Sequence, residues 1–191
     1  MPSPNMKYFE KSEISIRPYK LSDVDDFMQW ACDSQVLKYS LLQFQISPNS
    51  SKEHVIKYFQ DNVLSHPYYK AICLHNRAIG SVVLDRQPGK FGLDKGRAQL
   101  SYALGSQYWG HGITTTAVRK TVLAAFKELH NLVRIQAFVE IPNKGSEKVL
   151  QKVGFVKEGV LRNYAMIVDG EGMDLNVYSI LPSDIFLSDG S

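Results

Sequence analysis

Cysteine is scarce in this chain. Cys32 and Cys73 are the only two in 191 residues, too few for a zinc motif and in no pattern that announces a disulfide. A reduced compartment is the simpler expectation. Long apolar runs are missing as well, and no stretch approaches the roughly 20 residues that a membrane span needs. The opening MPSPNMKYFEKSE has no apolar core of a secretory signal, and the closing SDGS matches no peroxisomal or lipidation signal. These absences make the cytoplasm the expected location, with nuclear access left open and no membrane partner. Neither sign of charge dominates: 22 Lys and Arg stand against 19 Asp and Glu, a net charge of +3. No basic run is dense enough to track a nucleic-acid backbone, so no nucleic-acid partner is expected. Two nucleotide signatures are lacking too. There is no GxxxxGK phosphate loop, and no Gly-x-Gly-x-x-Gly follows a strand. What remains is an ordinary globular composition, 44% hydrophobic and 21% charged, large enough to bury a core without metal or disulfide staples. No metal site is expected.

The most informative segment is LSYALGSQYWGHGITTT, residues 100–116. Leu100, Tyr102 and Leu104 alternate with Ser101 and Ala103, the period of a strand. Gly105-Ser106 breaks the alternation and Gly110-His111-Gly112 follows. From Ile113 the apolar residues take helical spacing through Ala117, Val118, Val122, Phe126 and Leu129. A glycine turn that opens a helix presents main-chain N–H groups to an anion. Gly110 and Gly112 would let that anion approach without a Cβ in the way. A phosphate-bearing ligand is the reading.

Along the rest of the chain, residues 1–13 read as a flexible arm, 14–181 as one domain and 182–191 as a tail. Ile14 to Pro18 reads as a strand stopped by proline. A helix from Leu21 to Ala31 follows, with Ser22 as N-cap and Asp23, Asp25 and Asp26 in its first turn. A second helix spans Ser51 to Leu64, with Val55, Ile56, Phe59 and Val63 on one side. The loop between them, Val36 to Asn49, is apolar (Leu41, Leu42, Phe44, Ile46) and fits a pocket lining. Tyr69 to Leu74 and Ala78 to Asp85 form a hairpin around His75-Asn76-Arg77, and a polar loop runs from Gln87 to Gly96. A strand covers Arg97 to Leu104. The long helix ends near Leu129, and the next strand covers Arg134 to Glu140. The helix Asn143 to Val153 is closed by Gly154. Strands at Phe155 to Tyr164 and Met173 to Ile180 join through the turn Asp169 to Gly172. Strands interspersed with helices in this order indicate an α/β sheet of mixed direction.

Two motifs, YWGHGITTTAV at 108–118 and NKGSEKVLQKVGFVKEG at 143–159, resemble in order and spacing those of the GNAT acyl-CoA N-acyltransferase superfamily. The second motif, together with the opening IRPYKLSDVDDFMQW at 16–30, resembles the branch of ribosomal-protein N-terminal acetyltransferases. The resemblance spans residues 14–181. It implies an α/β fold with a mixed, mostly antiparallel central sheet of about seven strands flanked by about four helices, and it makes 14–181 an acetyltransferase domain with acetyl-CoA as cosubstrate. The cofactor-binding residues it implies are Tyr102, Ala103 and Leu104, whose main chain would pair with pantetheine and supply an oxyanion donor. Trp109, Gly110, His111, Gly112, Ile113, Thr114 and Thr115 would hold the diphosphate. Asn143 and Ser146, three apart on one helix face, would point at the pantetheine and sulfur. The chain departs from the family pattern at several positions. Trp109 stands where Gln or Arg is common, Thr114 replaces Gly or Ala, and Thr116 replaces a frequent glutamate. Leu150 occupies the place of a tyrosine acid, and Gln99 that of a glutamate base.

Transfer of an acetyl group to an amine needs a deprotonated amine, donors for the developing oxyanion and a proton for the departing thiolate. Ser146 is the candidate acid, with Asn143 beside it. In the plain alternative Ser146 bonds a backbone carbonyl and Asn143 caps its helix. Glu158 and Asp174 are conceivable bases, but each reads more simply as a solvated or paired carboxylate. Cys73 reads as core, Tyr102 and Phe138 as packing residues, and Tyr164 as packing or a cleft lining. Neither cysteine sits by the motifs with a base, so direct attack in a ternary complex is expected. The acceptor would be a primary amine, either a protein N-terminus or a small molecule. A catalytically silent CoA-binding sensor or interaction module is the competing reading, kept alive by Leu150, Gln99 and Thr116. The oligomeric state is open.

Overall fold

A computed structural model describes residues 9–86, 96–166 and 171–186. Seven strands form one sheet in the order β1-β2-β3-β4-β5-β7-β6. They are β1 (Ile14–Pro18), β2 (Tyr69–Leu74), β3 (Arg77–Arg86), β4 (Arg97–Leu104), β5 (Arg134–Glu140), β6 (Val156–Met166) and β7 (Gly172–Ile180). The α-helices are α1 (Val24–Ala31), α2 (Ser34–Leu37), α3 (Lys52–Tyr58), α4 (Ile113–Glu128), α5 (Lys144–Val153) and α6 (Pro182–Phe186). β1 runs antiparallel to β2, and β7 antiparallel to both β5 and β6, while β4 and β5 are parallel. The sheet is thus mixed and mostly antiparallel, as the family resemblance implies, with six described helices where about four were expected. The polar loop over 87–96 lies outside the described residues except for Gly96. So do 169–170 of the late turn, 1–8 of the arm and 187–191 of the tail.

Two compact units make up the chain. The first consists of Met1–Ser81 and Ala103–Ala117, the second of Val82–Tyr102 and Val118–Ser191.

The core of the first unit is aromatic. Phe27 and Phe59 are fully buried, with ring centroids 4.9 Å apart, and Tyr19 meets both edge-on. The Tyr19 hydroxyl donates to Gly80 O at 2.7 Å, so this phenol satisfies its polar end while its ring packs. The hairpin between β2 and β3 turns on His75 and Asn76, both with positive φ (49° and 65°), as a two-residue primed turn requires.

The helices here depart from expectation. Residues 21–23 form a 3-10 turn and α1 begins only at Val24. Ser22 is not its N-cap. Asp23 holds that position without capping through its side chain, because the carboxylate is committed elsewhere. It takes two bonds from Arg17, at 2.6 and 2.9 Å, and one from Lys20 N at 2.8 Å. Burial pushes the Asp23 carboxyl up, but these bonds outweigh it and leave the pKa below the ordinary value. Ser51 does cap α3, accepting from His54 N, yet regular helix stops at Tyr58 and a π turn continues over Phe59–Leu64. The stretch expected as a loop, Val36 to Asn49, holds the last two residues of α2 and a 3-10 turn over Leu41–Phe44. Its apolar residues divide: Leu42 and Ile46 join the core, while Leu41 and Phe44 are 73% and 46% exposed.

In the second unit, α5 shows how sequence becomes placement. Asn143 Oδ1 accepts from Ser146 N at 3.0 Å and caps the start. Gly154, at φ 111°, closes the end, and the N–H of Phe155 returns to Leu150 O at 3.0 Å in a Schellman arrangement. Glu147, Leu150 and Val153 form the buried face of the helix.

Candidate active site

The glycine turn belongs to the first unit. Gly105 follows β4 and its N–H donates to Ile79 O at 2.9 Å. A Cβ there would press on Trp30 at 3.2 Å, so the close approach of the main chain needs glycine. Two side chains then tie the turn down. Asp33, which caps α2 through Gln35 N, also accepts from Ser106 N at 3.3 Å. The Trp109 indole N–H donates to Leu104 O at 2.7 Å. Trp109 therefore braces the turn with its polar atom while its ring stays 44% exposed.

Gly110 and Gly112 have φ of 81° and 75°, and a Cβ at either would meet nothing within 4 Å. Both lie in the left-handed region that L side chains resist, and both face open space. His111 between them is half-buried, with Nδ1 3.3 Å from Tyr108 O and its ring edge-on to Phe9 at 5.4 Å. The first N–H of α4 to return into the chain is Thr116, to Gly112 O at 3.0 Å. The N–H groups of Ile113, Thr114 and Thr115 precede it, at the positive end of a 16-residue helix. Ile113 is 1% exposed and anchors that end in the core. The turn is open in front, free of side-chain bulk at both glycines and leads into a helix N-terminus, the features by which such turns accept an anion.

The hydroxyl groups lie in the second unit. Parallel pairing of β4 with β5 runs from Arg97↔Arg134 to Gln99↔Gln136. Leu100 to Tyr102 on β4 and Ala137 to Glu140 on β5 lie beyond that ladder. Main-chain groups at the end of β4 can thus pair with an extended ligand arm on that side. The Tyr102 hydroxyl lies 2.7 Å from Ser146 Oγ and 3.1 Å from Ser146 O. Burial pushes the pKa of the Tyr102 phenol well above its ordinary value.

Glu147, next to Ser146, is a buried carboxylate at 9% exposure. Its Oε2 accepts from Lys144 Nζ at 2.8 Å, and its Oε1 from Asn176 Nδ2 at 2.5 Å and the Tyr178 hydroxyl at 3.4 Å. The bond from Lys144 leads the forces that hold this carboxyl below its ordinary pKa, against a smaller upward push from burial. The network pins α5 to β7, and with it the main chain of Ser146.

Other candidates settle differently. Leu150 is fully buried. Gln99 is half-buried and lies opposite Gln136. Glu158 takes a two-pronged bond from Arg134, at 2.6 and 2.5 Å, and another from the Ser179 hydroxyl at 2.6 Å. The Arg134 bond first, then Ser179, pull its pKa down to about 2. Asp174 accepts from Asn163 N at 2.8 Å. Cys73 is buried in β2. Tyr164 is 57% exposed, with Phe138 at a centroid distance of 5.3 Å. It borders an open, polar depression with Arg162, Asn163 and Asp174. Among the described residues no group of three or more His, Cys, Asp or Glu is placed to hold a metal. No described helix is long and apolar enough to cross a membrane.

The model of the acetyltransferase (GNAT) domain matches residues 13–156. The chain belongs to the GNAT acetyltransferase family. It is 29% identical over 182 residues to the uncharacterized N-acetyltransferase p20 of Bacillus licheniformis, covering 92% of this chain and 97% of that one. A solved ribosomal-protein alanine acetyltransferase from Vibrio fischeri shares 27% identity with a TM-score of 0.69, covering 92% of this chain and 97% of its own. RimL, a ribosomal α-N-protein acetyltransferase solved in complex with coenzyme A, is 20% identical with a TM-score of 0.73, over 89% and 94% of the two chains. This GNAT protein is accordingly an N-acetyltransferase with acetyl-CoA as the donor of its family. The side-chain bond between Tyr102 and Ser146 and the anchoring role of Glu147 were not foreseen. For Glu147 a signal existed, since it stands three before Leu150 and six before Val153, on the apolar face.

Proposed function

We propose that the protein transfers the acetyl group of acetyl-CoA to a primary amine by direct attack, with a protein N-terminal α-amine favoured over a small amine. The observation that carries the donor side is the turn at Gly110 and Gly112, left-handed, open in front and leading into the first N–H groups of α4. In this reading the main chain of Trp109 to Thr115 holds the diphosphate. Main-chain groups of Tyr102, Ala103 and Leu104 pair with the pantetheine arm, and one N–H among them faces the developing oxyanion. Asn143 spends Oδ1 on its cap and offers its amide N–H to the ligand.

The amine lone pair attacks the thioester carbon, the oxyanion collapses and the carbon–sulfur bond breaks. Ser146 passes its hydroxyl proton to the departing sulfur, and water takes the proton that the new amide nitrogen sheds. That proton returns through water to Ser146 Oγ, leaving free thiol, amide and neutral serine. An acceptor that must arrive largely deprotonated favours an α-amine. Glu158, at about 2, is too weak a base to serve a lysine, whose amine titrates near 10.4, whereas an α-amine titrating at about 7.7–8.0 is partly free at neutral pH. The names of the ribosomal-protein acetyltransferases similar to this chain point the same way.

The deciding experiment is thiol release from acetyl-CoA in the presence of a panel of peptides with free N-termini, free amino acids and polyamines. Turnover on peptides above the others is expected. Tight CoA binding with no turnover on any amine would return the silent module instead.

A further inference from the structure

Two hydroxyls 2.7 Å apart share one hydrogen bond, and which of them donates decides what Ser146 can do. If Ser146 gives its hydrogen to Tyr102, nothing is left for a ligand. If Tyr102 gives its hydrogen to Ser146 Oγ, the serine hydrogen is released for a third atom, and its donor strength rises through the chain of bonds. The alternative acceptor of the tyrosine hydrogen, Ser146 O, is farther away at 3.1 Å. The serine main chain is already fixed by Asn143 Oδ1 on its N–H and by the Glu147 network beside it. What remains free is the rotation of its hydroxyl hydrogen, and among the described residues the side chain bonded to that hydroxyl is Tyr102.

We infer that Tyr102 is a positioning residue whose hydroxyl donates to Ser146 Oγ and leaves the serine hydrogen free for the departing sulfur. The thiolate is then served by a tyrosine–serine pair rather than by a lone serine. Because burial keeps the phenol protonated well above neutral pH, the pair holds this direction across the working range. The inference rests on the reading of Ser146 as donor to the sulfur.

A double-mutant cycle tests both, read as kcat and as KM for acetyl-CoA with the fastest amine of the panel. Tyr102→Phe keeps the ring and is expected to lower kcat about fivefold to tenfold, the worth of one hydrogen bond, with KM within about twofold. Ser146→Ala lowers kcat at least as far. The double variant matches Ser146→Ala, because the tyrosine has nothing left to position. A purely structural role for Tyr102 would make the two losses multiply, and that outcome overturns the inference. So does a Tyr102→Phe enzyme at full rate while Ser146→Ala is impaired, a result that leaves the role of Ser146 standing. Full rate in Ser146→Ala removes the donor reading and the positioning role together. Should Tyr102→Phe fold poorly, ring-fluorinated tyrosine at 102 keeps the hydroxyl and makes it more acidic. With enough fluorine to bring the phenol into the working range, kcat is then expected to fall at alkaline pH where the parent holds its rate, and matching profiles refute the pair.

Discussion

Arg134, Glu158 and Ser179 show what one residue contributes to the acid tolerance of the protein. The Glu158 carboxyl titrates near 4.3 when unfolded and at about 2 when folded. A depressed pKa adds stability that is present above the unfolded value and lost as pH falls toward the folded one. Glu158→Gln should therefore melt below the parent at pH 7, and the gap should close between about pH 4.5 and about pH 2. With the carboxylate side chain 39% exposed, solvent screening holds the effect to no more than about 1 kcal/mol. Melting temperatures across that range check it. At this scale the sequence was only half legible. That Leu150 brings no hydroxyl is plain from its identity, and its full burial agrees. Tyr102 and Ser146 meet across 44 positions, a distance that no periodicity reports. Glu147 carries a charge that usually marks a solvated face, and only its packing against β7 shows otherwise.

Among the elements, the turn before α4 and the cap of α5 yield separable tests. Gly110→Ala places a methyl where nothing lies within 4 Å, so the protein itself loses only the left-handed backbone term, about 1–2 kcal/mol. A ligand in the cradle meets the methyl directly. KM for acetyl-CoA should rise about tenfold or more, a loss of about 1.4 kcal/mol or more in binding, with a smaller change in kcat, as steady-state kinetics would read. Asn143→Ala removes the cap and should cost about 1 kcal/mol in urea unfolding. Asn143→Asp keeps the cap but loses the amide N–H. Unchanged stability with a raised KM for acetyl-CoA is the expected split, and an unchanged KM would confine Asn143 to capping. β4 and β5 match their sequence-read bounds because glycines, turns and strict alternation bracket them. The early helices do not, because side-chain commitments reset their ends: Asp23 answers to Arg17 rather than to its own helix.

For the whole molecule, a ligand that binds only the folded protein raises stability by mass action. Coenzyme A at about a hundredfold over its Kd should contribute about 2.7 kcal/mol and lift the melting temperature by about 5–10 °C, scaled for a chain of this length. A flat thermal-shift titration would count against the cradle. The global reading, a mixed sheet carrying a glycine turn, was visible because strand and helix periods change at punctuating residues. The acceptor was not, because nothing in local spacing encodes it. One last feature bears on how the protein behaves in a crowded solution. β6 ends the sheet order and exposes Val156 and Val160, at 55% and 46%, a profile that invites fibril growth by strand addition. Its pairing with β7 slips twice, between Lys157 and Gly159 and between Leu161 and Ala165. Those slips break the outer row of amides into short lengths, and a stray chain finds no straight rail on which to seed.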